Sequence, residues 1–321
     1  MERADRVGRY FDLKDFMFCE LSAGCLEKAG VFDILNGVPV PLGKEALAES
    51  GEVTLAGLAE NIVRVIGSDP DFKYAQNYAD FLIGLYGDKI KDGLAEKGER
   101  AAADGDFDTA CIFFRAVLRL SPGHMSAMYG YARVCREMYL ASEDPEYTGR
   151  FKAESMKYFE LLSEVHPEFP GAYYYLGYAY LNAGLYLKAE LTWRKFVKLG
   201  GGLLETEEIR ERLEQIAEPV EIERGYNMAL TGRFAQSLEI LEPFLDTQYK
   251  TWWPLSYYLG ICYKGLGMSD EALKSFKNVL ALNASHLETM KELADIYAEA
   301  KNPESEKKYR RKIEILLDGP A

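Results

Sequence analysis

Apolar residues recur along this chain at intervals of three and four, the spacing that lines one face of an α-helix, and short runs of Gly, Pro, Asp and Asn separate one such stretch from the next. No alternation of period two extends over the length of a strand, so the chain is predicted to be all-α. The helical stretches also resemble one another. Leu176-Gly177-x-x-Tyr180, followed by Gly184, Ala189 and Trp193, has the same internal spacing as Leu259-Gly260-x-x-Tyr263, followed by Gly267, Ala272 and Phe276. In such a unit Gly177 and Gly260 allow a neighbouring helix to approach closely, and Ala189 and Ala272 offer a small contact surface on the second helix. Gly184 and Gly267 fall where the first helix must stop and reverse. Trp193 and Phe276 fill the groove between pairs.

Further copies follow the same pattern. Gly98, Gly105, Ala110, Phe114 and Pro122 keep its register, and Leu293, Ala294 and Tyr297 follow Leu259, Gly260 and Tyr263 by one repeat. A degenerate copy holds Gly225, Gly232, Phe234 and Leu241, with Arg224 where a Leu is usual and Ser237 where an Ala is usual. Another copy is split. Tyr131 and Ala132 belong to its first helix and Ser155 and Phe159 to its second, while a polar insertion near 141–149 is either a lengthened turn or a longer helix pair with a loop at its tip. An extra short amphipathic helix is predicted near 203–217 from Leu204, Ile209, Leu213 and Ile216.

This set of residues resembles the tetratricopeptide repeat family, whose unit of about 34 residues is a helix-turn-helix with this signature. The resemblance implies a right-handed α-solenoid of TPR-like helix-turn-helix repeats, about six of them, over residues 88–321. It also implies a protein or peptide partner, held in the concave groove that one face of each first helix lines. Residues two before and two after each Leu-like position, and one turn further on, are expected on that face. They are Tyr129, Arg133 and Arg136, then Tyr174 and Tyr178, then Ile222 and Tyr226, then Tyr257, Ile261 and Lys264, and last Lys291 and Asp295. The candidate peptide-binding residues are therefore five tyrosines for contact area, Tyr129, Tyr174, Tyr178, Tyr226 and Tyr257, and three cations for orientation, Arg133, Arg136 and Lys264. Some members of the family grip a partner's terminal carboxylate with Lys and Asn on successive first helices. Those residue types are missing at the corresponding places, so a chaperone tail is not the expected partner.

Residues 1–87 lie outside the repeat. The segment 13–35 reads as a strongly apolar helix interrupted near Gly30, 37–42 as a stiff proline-bearing linker, and 54–66 and 71–86 as two further helices. The region is either an N-terminal helical cap on the first repeat or a small helical interaction domain. At the other end, the helix with Lys307, Lys308, Arg310, Arg311 and Lys312 is expected to cover the last repeat with its charges in solvent.

Composition narrows the function. Lys and Arg total 38 against 51 Asp and Glu, a formal charge of -13, which repels nucleic acid and anionic membrane surfaces. Residues 1–6 mix both charge signs and lead into no long apolar stretch, so neither a signal peptide nor a membrane span is expected, and the expected location is cytoplasmic. Five cysteines at irregular spacings give no disulfide framework and read as small buried hydrophobes on helices. No phosphate loop, paired-His zinc motif, nucleophile elbow or Cys-x-x-Cys occurs, and His124, His166 and His286 all fall in turns after second helices. No catalytic residue, cofactor or metal is expected, and the chain is not expected to be an enzyme. The leading expectation is a non-catalytic scaffold or adaptor for a protein or peptide. The alternatives are a peptide-signal receptor and a structural homo-oligomer joined through Phe11, Phe16, Met17, Phe18 and Leu21.

Overall fold

In this computed structural model residues 7–44 and 54–318 are described, and α-helices make up most of their regular structure. The chain divides into two compact units, residues 1–179 with 194–205, and residues 180–193 with 206–321.

The first unit opens with a segment whose periodicity is misleading. Residues 13–35 are not one interrupted helix. Strand β1 (Phe16–Cys19) pairs antiparallel with β2 (Val40–Gly43), Phe16 opposite Gly43 and Cys19 opposite Val40, and only α1 (Ala23–Ala29) and α2 (Phe32–Leu35) between them are helical. Strands this short show too little alternation to stand out, although the aromatics of Phe16-Met17-Phe18 favour a strand. Gly30, at φ 68°, ends α1 as its position suggests. The proline-bearing segment is pinned in place and is not a free linker. Tyr78 donates its hydroxyl to the Pro39 carbonyl at 2.5 Å, and Asn61 donates from Nδ2 to the Pro41 carbonyl at 3.1 Å. Helices α3 (Leu55–Ser68) and α4 (Ala75–Tyr86) lie close to the expected ranges, and the Thr54 hydroxyl caps α3 by accepting from Gly57 N at 3.1 Å. Val7, Leu26, Val40, Ile62 and Tyr78 belong to the same buried apolar cluster as Phe114 and Tyr131 of the repeats.

The first helix pair is α5 (Ile90–Ala103) with α6 (Phe107–Leu120), and the second is α7 (Met125–Ala141) with α8 (Pro145–Val165). One aromatic ring accounts for two glycines here. A Cβ at Gly98 would lie 2.8 Å from the Phe114 ring, and one at Gly130 would lie 2.3 Å from it. The polar insertion is a longer helix pair: α7 has 17 residues and α8 has 21, against 14 in each of α5 and α6. Asp144 makes that extension possible, because its carboxylate accepts from Glu146 N at 2.8 Å while Pro145 takes the first turn of α8. The tip then packs inward, with Tyr147 edge-on to Tyr10 at 4.9 Å between ring centres. Helices α9 (Pro170–Asn182) and α10 (Tyr186–Leu199) follow, and α11 (Leu203–Gln215) is the extra helix. Its apolar face runs through Ile209 and leaves out Leu204, which is exposed.

The second unit contains α12 (Ala217–Leu230) with α13 (Phe234–Leu241), α14 (Trp253–Gly265) with α15 (Ser269–Leu282), and α16 (Leu287–Glu299) with α17 (Pro303–Asp318). The degenerate copy departs from the pattern for reasons visible in its contacts. Arg224, in place of Leu, donates from Nη2 to the Glu190 carboxylate at 2.8 Å. Ser237, in place of Ala, is fully buried and donates to the Gly225 carbonyl at 2.8 Å. Ser155 of the split copy repeats this bond, donating to the Ala132 carbonyl at 2.8 Å. A small hydroxyl at this position keeps the close helix contact and satisfies its own donor. In α17, Tyr309 is buried and stacks on Tyr297, whereas Lys307, Lys308, Arg310, Arg311 and Lys312 are exposed. Cys111, Cys135 and Cys262 are buried, but Cys25 is exposed and Cys19 lies half-buried on β1, so the reading as buried helical hydrophobes fails for those two.

Candidate peptide-binding surface

In the first unit, the face predicted from α7 and α9 is built of rings packed on rings. Tyr129 is half-buried and meets Phe169 edge-on, 5.0 Å between centres, and Tyr175 stacks on Phe159 at 5.2 Å. Burial, and next the neighbouring Tyr175, push the Tyr129 hydroxyl above the ordinary phenol range. Tyr174 packs against Tyr178 at 5.4 Å and Phe196 at 5.5 Å, and both tyrosines are half-buried. Arg133 is exposed, and its guanidinium carbon stands 5.4 Å from the Tyr129 ring centre and 5.8 Å from that of Tyr175. Arg136 also lies over Tyr175, at 5.6 Å, and is ion-paired with Glu137 at 2.7 Å. Arg133 thus presents a cation held by two aromatic faces.

In the second unit, the residues form a cavity of about 580 Å³. Tyr226 on α12 stacks on Tyr258 of α14 at 4.1 Å, and Trp252, just before α14, lies 6.2 Å from both Tyr226 and Tyr186. Tyr257 closes the wall toward His286, 5.0 Å away. The carboxylates in the lining are Glu223 and Glu288, and no Lys or Arg takes part. Glu223 is oriented by accepting the backbone N–H of Leu187 at 2.8 Å. The Tyr226 hydroxyl is buried without a hydrogen-bond partner. Burial foremost, then Tyr258, Tyr186 and Glu223, hold it neutral far above the ordinary phenol range. The Tyr257 hydroxyl is pushed up to about 12, first by burial and then by Glu292.

One expectation for this face needs correcting: Ile222 is fully buried and belongs to the core, because α12 turns that position inward. Lys264 is ion-paired, its Nζ 2.7 Å from Glu292 of the next first helix.

The residues that sequence reasoning missed share one register. Tyr175, Glu223 and Tyr258 each stand one place before the Leu-like position of their repeat, and Glu292 does so in the next. That place is three residues before the predicted position two after the Leu-like residue, and so about 60° from it around the helix, close enough to share a face. The signal was present in the repeat alignment.

The histidines are turn residues, as expected. His124 and His286 cap α7 and α16 by accepting through Nδ1 from Ala127 N at 3.3 Å and Thr289 N at 3.2 Å, and His166 Nε2 lies 2.8 Å from the Gly123 carbonyl oxygen. Among the described residues no group of three or more His, Cys, Asp or Glu could hold a metal ion, and no helix is long and apolar enough to cross a membrane.

The repeat geometry recurs in both units. A Cβ at Gly260 would lie 2.6 Å from the Phe276 ring, as one at Gly98 would meet Phe114, and the turns at Gly105, Gly184, Gly232 and Gly267 all have φ between 71° and 80°. The helix pairs have the tetratricopeptide-repeat fold. No protein-family model matches the chain, and no curated protein matches it. Solved structures do. The tetratricopeptide-repeat domain of P58(IPK) is 14% identical, with 83% of this chain and 70% of that one covered, at a TM-score of 0.45. The tetratricopeptide-repeat protein YrrB is 16% identical over 62% of this chain and 90% of its own, at 0.30. MamA from Desulfovibrio magneticus RS-1 is 14% identical over 58% and 93%, at 0.31. With these TM-scores below 0.5, the fold rests on the chain's own packing.

Proposed function

We propose that this protein is a non-catalytic scaffold or adaptor that holds a segment of another protein or a peptide, and that the tetratricopeptide-type pocket beside α12, α14 and α16 is where it does so. The observation that carries the reading is the pocket wall. Tyr186, Tyr226, Trp252, Tyr257 and Tyr258 line an open cavity of about 580 Å³. Aromatic walls with a few polar groups are the usual make-up of a binding pocket, and aromatic residues are enriched at protein interfaces. Arg133 on its Tyr129–Tyr175 platform supports a second contact for a partner, by a carboxylate or carbonyl group.

Residues 1–87 act in this reading as a cap, supported by the core that Val7, Val40 and Tyr78 share with Phe114. The rival reading as a homo-oligomer joined through the amino-terminal aromatics finds less support, because Phe11 and Phe16 are buried and Met17 is the exposed large side chain of that group. The acidic net charge supports a partner other than nucleic acid or an anionic membrane.

Photo-crosslinking tests the assignment. A benzoylphenylalanine at Tyr186, in the pocket wall, is expected to give a discrete adduct that maps to one short segment of a partner, while the same group at the exposed Leu191 does not. The same adducts at both places, or none at Tyr186, would overturn it.

A further inference from the structure

We infer that the pocket of the second unit receives a cationic side chain, a lysine or arginine flanked by apolar residues, from the bound segment. The inference rests on the reading of this cavity as the binding site and adds the chemistry of its occupant. Three kinds of occupant can be compared. An anionic group would meet Glu223 and Glu288 with no lysine or arginine in the lining to offset them. A purely apolar group would cover the rings but leave both carboxylates of the lining without a counter-charge.

A cationic side chain meets every feature of the lining. Its aliphatic stem covers the faces of Trp252 and Tyr257, and its head is attracted by the negative faces of the rings. Ammonium and guanidinium groups are donors only, and a carboxylate accepts. A head group on the α12 side therefore complements the Glu223 carboxylate, which the Leu187 N–H already holds in position. Glu288, exposed at the start of α16, places a second negative charge in the lining. The overall charge of -13 adds long-range attraction for a basic segment. Lys264, a cation that sequence spacing placed on this face, is paired with Glu292 and lies outside the lining.

The test is panning of a phage-displayed library of random twelve-residue peptides on the immobilised full chain. The expected consensus is Lys or Arg between apolar residues. The synthetic consensus peptide should lose about ten-fold or more in affinity when its cation is replaced by norleucine, and lose as much against an E223Q/E288Q variant whose melting temperature is unchanged. Glutamine at 223 keeps an acceptor for the Leu187 amide, so the fold is not the variable. A consensus without a cation whose binding is lost in Y257A would overturn the cation and leave the pocket standing. A cationic consensus that binds E223Q/E288Q as well as the original would place the basic group elsewhere and also overturn it. Enrichment of no peptide would overturn the cation and the binding pocket together.

Discussion

Arg115 donates from Nε to the Gly67 carbonyl oxygen at 2.6 Å, and from Nη2 to the Ser68 carbonyl at 3.1 Å. Those are the last carbonyls of α3, which have no intrahelical partner, and a cation at a helix C-terminus is favoured by the peptide dipoles. The guanidinium is buried, with its carbon 5.3 Å from the Phe11 ring centre, and Nη1 reaches the Tyr131 hydroxyl at 3.3 Å. A Cβ at Gly67 would stand 2.1 Å from the Ile112 carbonyl oxygen, so only glycine permits this approach. One arginine thus ties the amino-terminal region to the first two helix pairs. Replacing Arg115 by Met should lower stability by about 2–4 kcal/mol in urea unfolding, because buried carbonyls lose their donors, and Lys should recover only part of it. An unchanged midpoint for Met would show that the contact does not hold the region in place.

Phe114 and Gly130 should behave as one unit. G130A places a methyl group where the Phe114 ring now lies and is expected to cost about 1–3 kcal/mol. In F114L that cost should fall, so a double-mutant cycle should show coupling of about 1 kcal/mol or more. Additive effects would contradict the close ring contact.

Lys301 occupies, at φ 53°, the turn position that glycine takes 34 residues earlier at Gly267, where φ is 76°. It is exposed, so its side chain has little packing to lose. K301G is expected to raise the free energy of unfolding by about 0.5–1 kcal/mol through relief of left-handed strain, and K301V to lower it by a similar amount or more. Equal stabilities for the three side chains would remove strain as the explanation.

The pocket tyrosines predict a loss of stability in base. A phenol that titrates near 10 in the unfolded chain and at about 12 for Tyr257 in the native one leaves the unfolded state short of a proton between those values. Raising the pH through that window therefore favours unfolding, whereas below 10 the contribution is fully present. Unfolding midpoints followed from pH 9 to 12 should fall less steeply in Y257F than in the unmodified chain. Parallel curves would mean that Tyr257 is not held neutral by its surroundings.

How much of this was legible in the sequence depended on the kind of interaction. Turn glycines such as Gly105 and Gly232, and aromatic fillers such as Phe114 and Phe276, follow from local backbone and packing rules and could be read from spacing alone. The strand pair was hidden because β1 owes its form to a partner 21 to 27 residues away, Phe18 opposite Pro41 being one of its contacts, and four residues carry little periodicity. The candidate surface was legible by residue type and imperfect by angle. Counting two positions either side of the Leu-like residue found Tyr226 and Tyr257, took the core residue Ile222 for a surface one, and passed over Tyr175, Tyr258 and Glu223 one place away. The pairing of Lys264 with Glu292 was not legible, because a salt bridge between successive first helices depends on side-chain reach and not on repeat register.

The central claim is that the aromatic pocket holds a partner segment, and calorimetric titration of the crosslinked segment, made as a synthetic peptide, tests it most directly. Y257A should lose about ten-fold or more in affinity for that peptide, as expected for an aromatic contact at the centre of a binding site, while its circular dichroism and melting temperature stay close to those of the unmodified protein. Equal affinity for Y257A and the unmodified chain would contradict the claim.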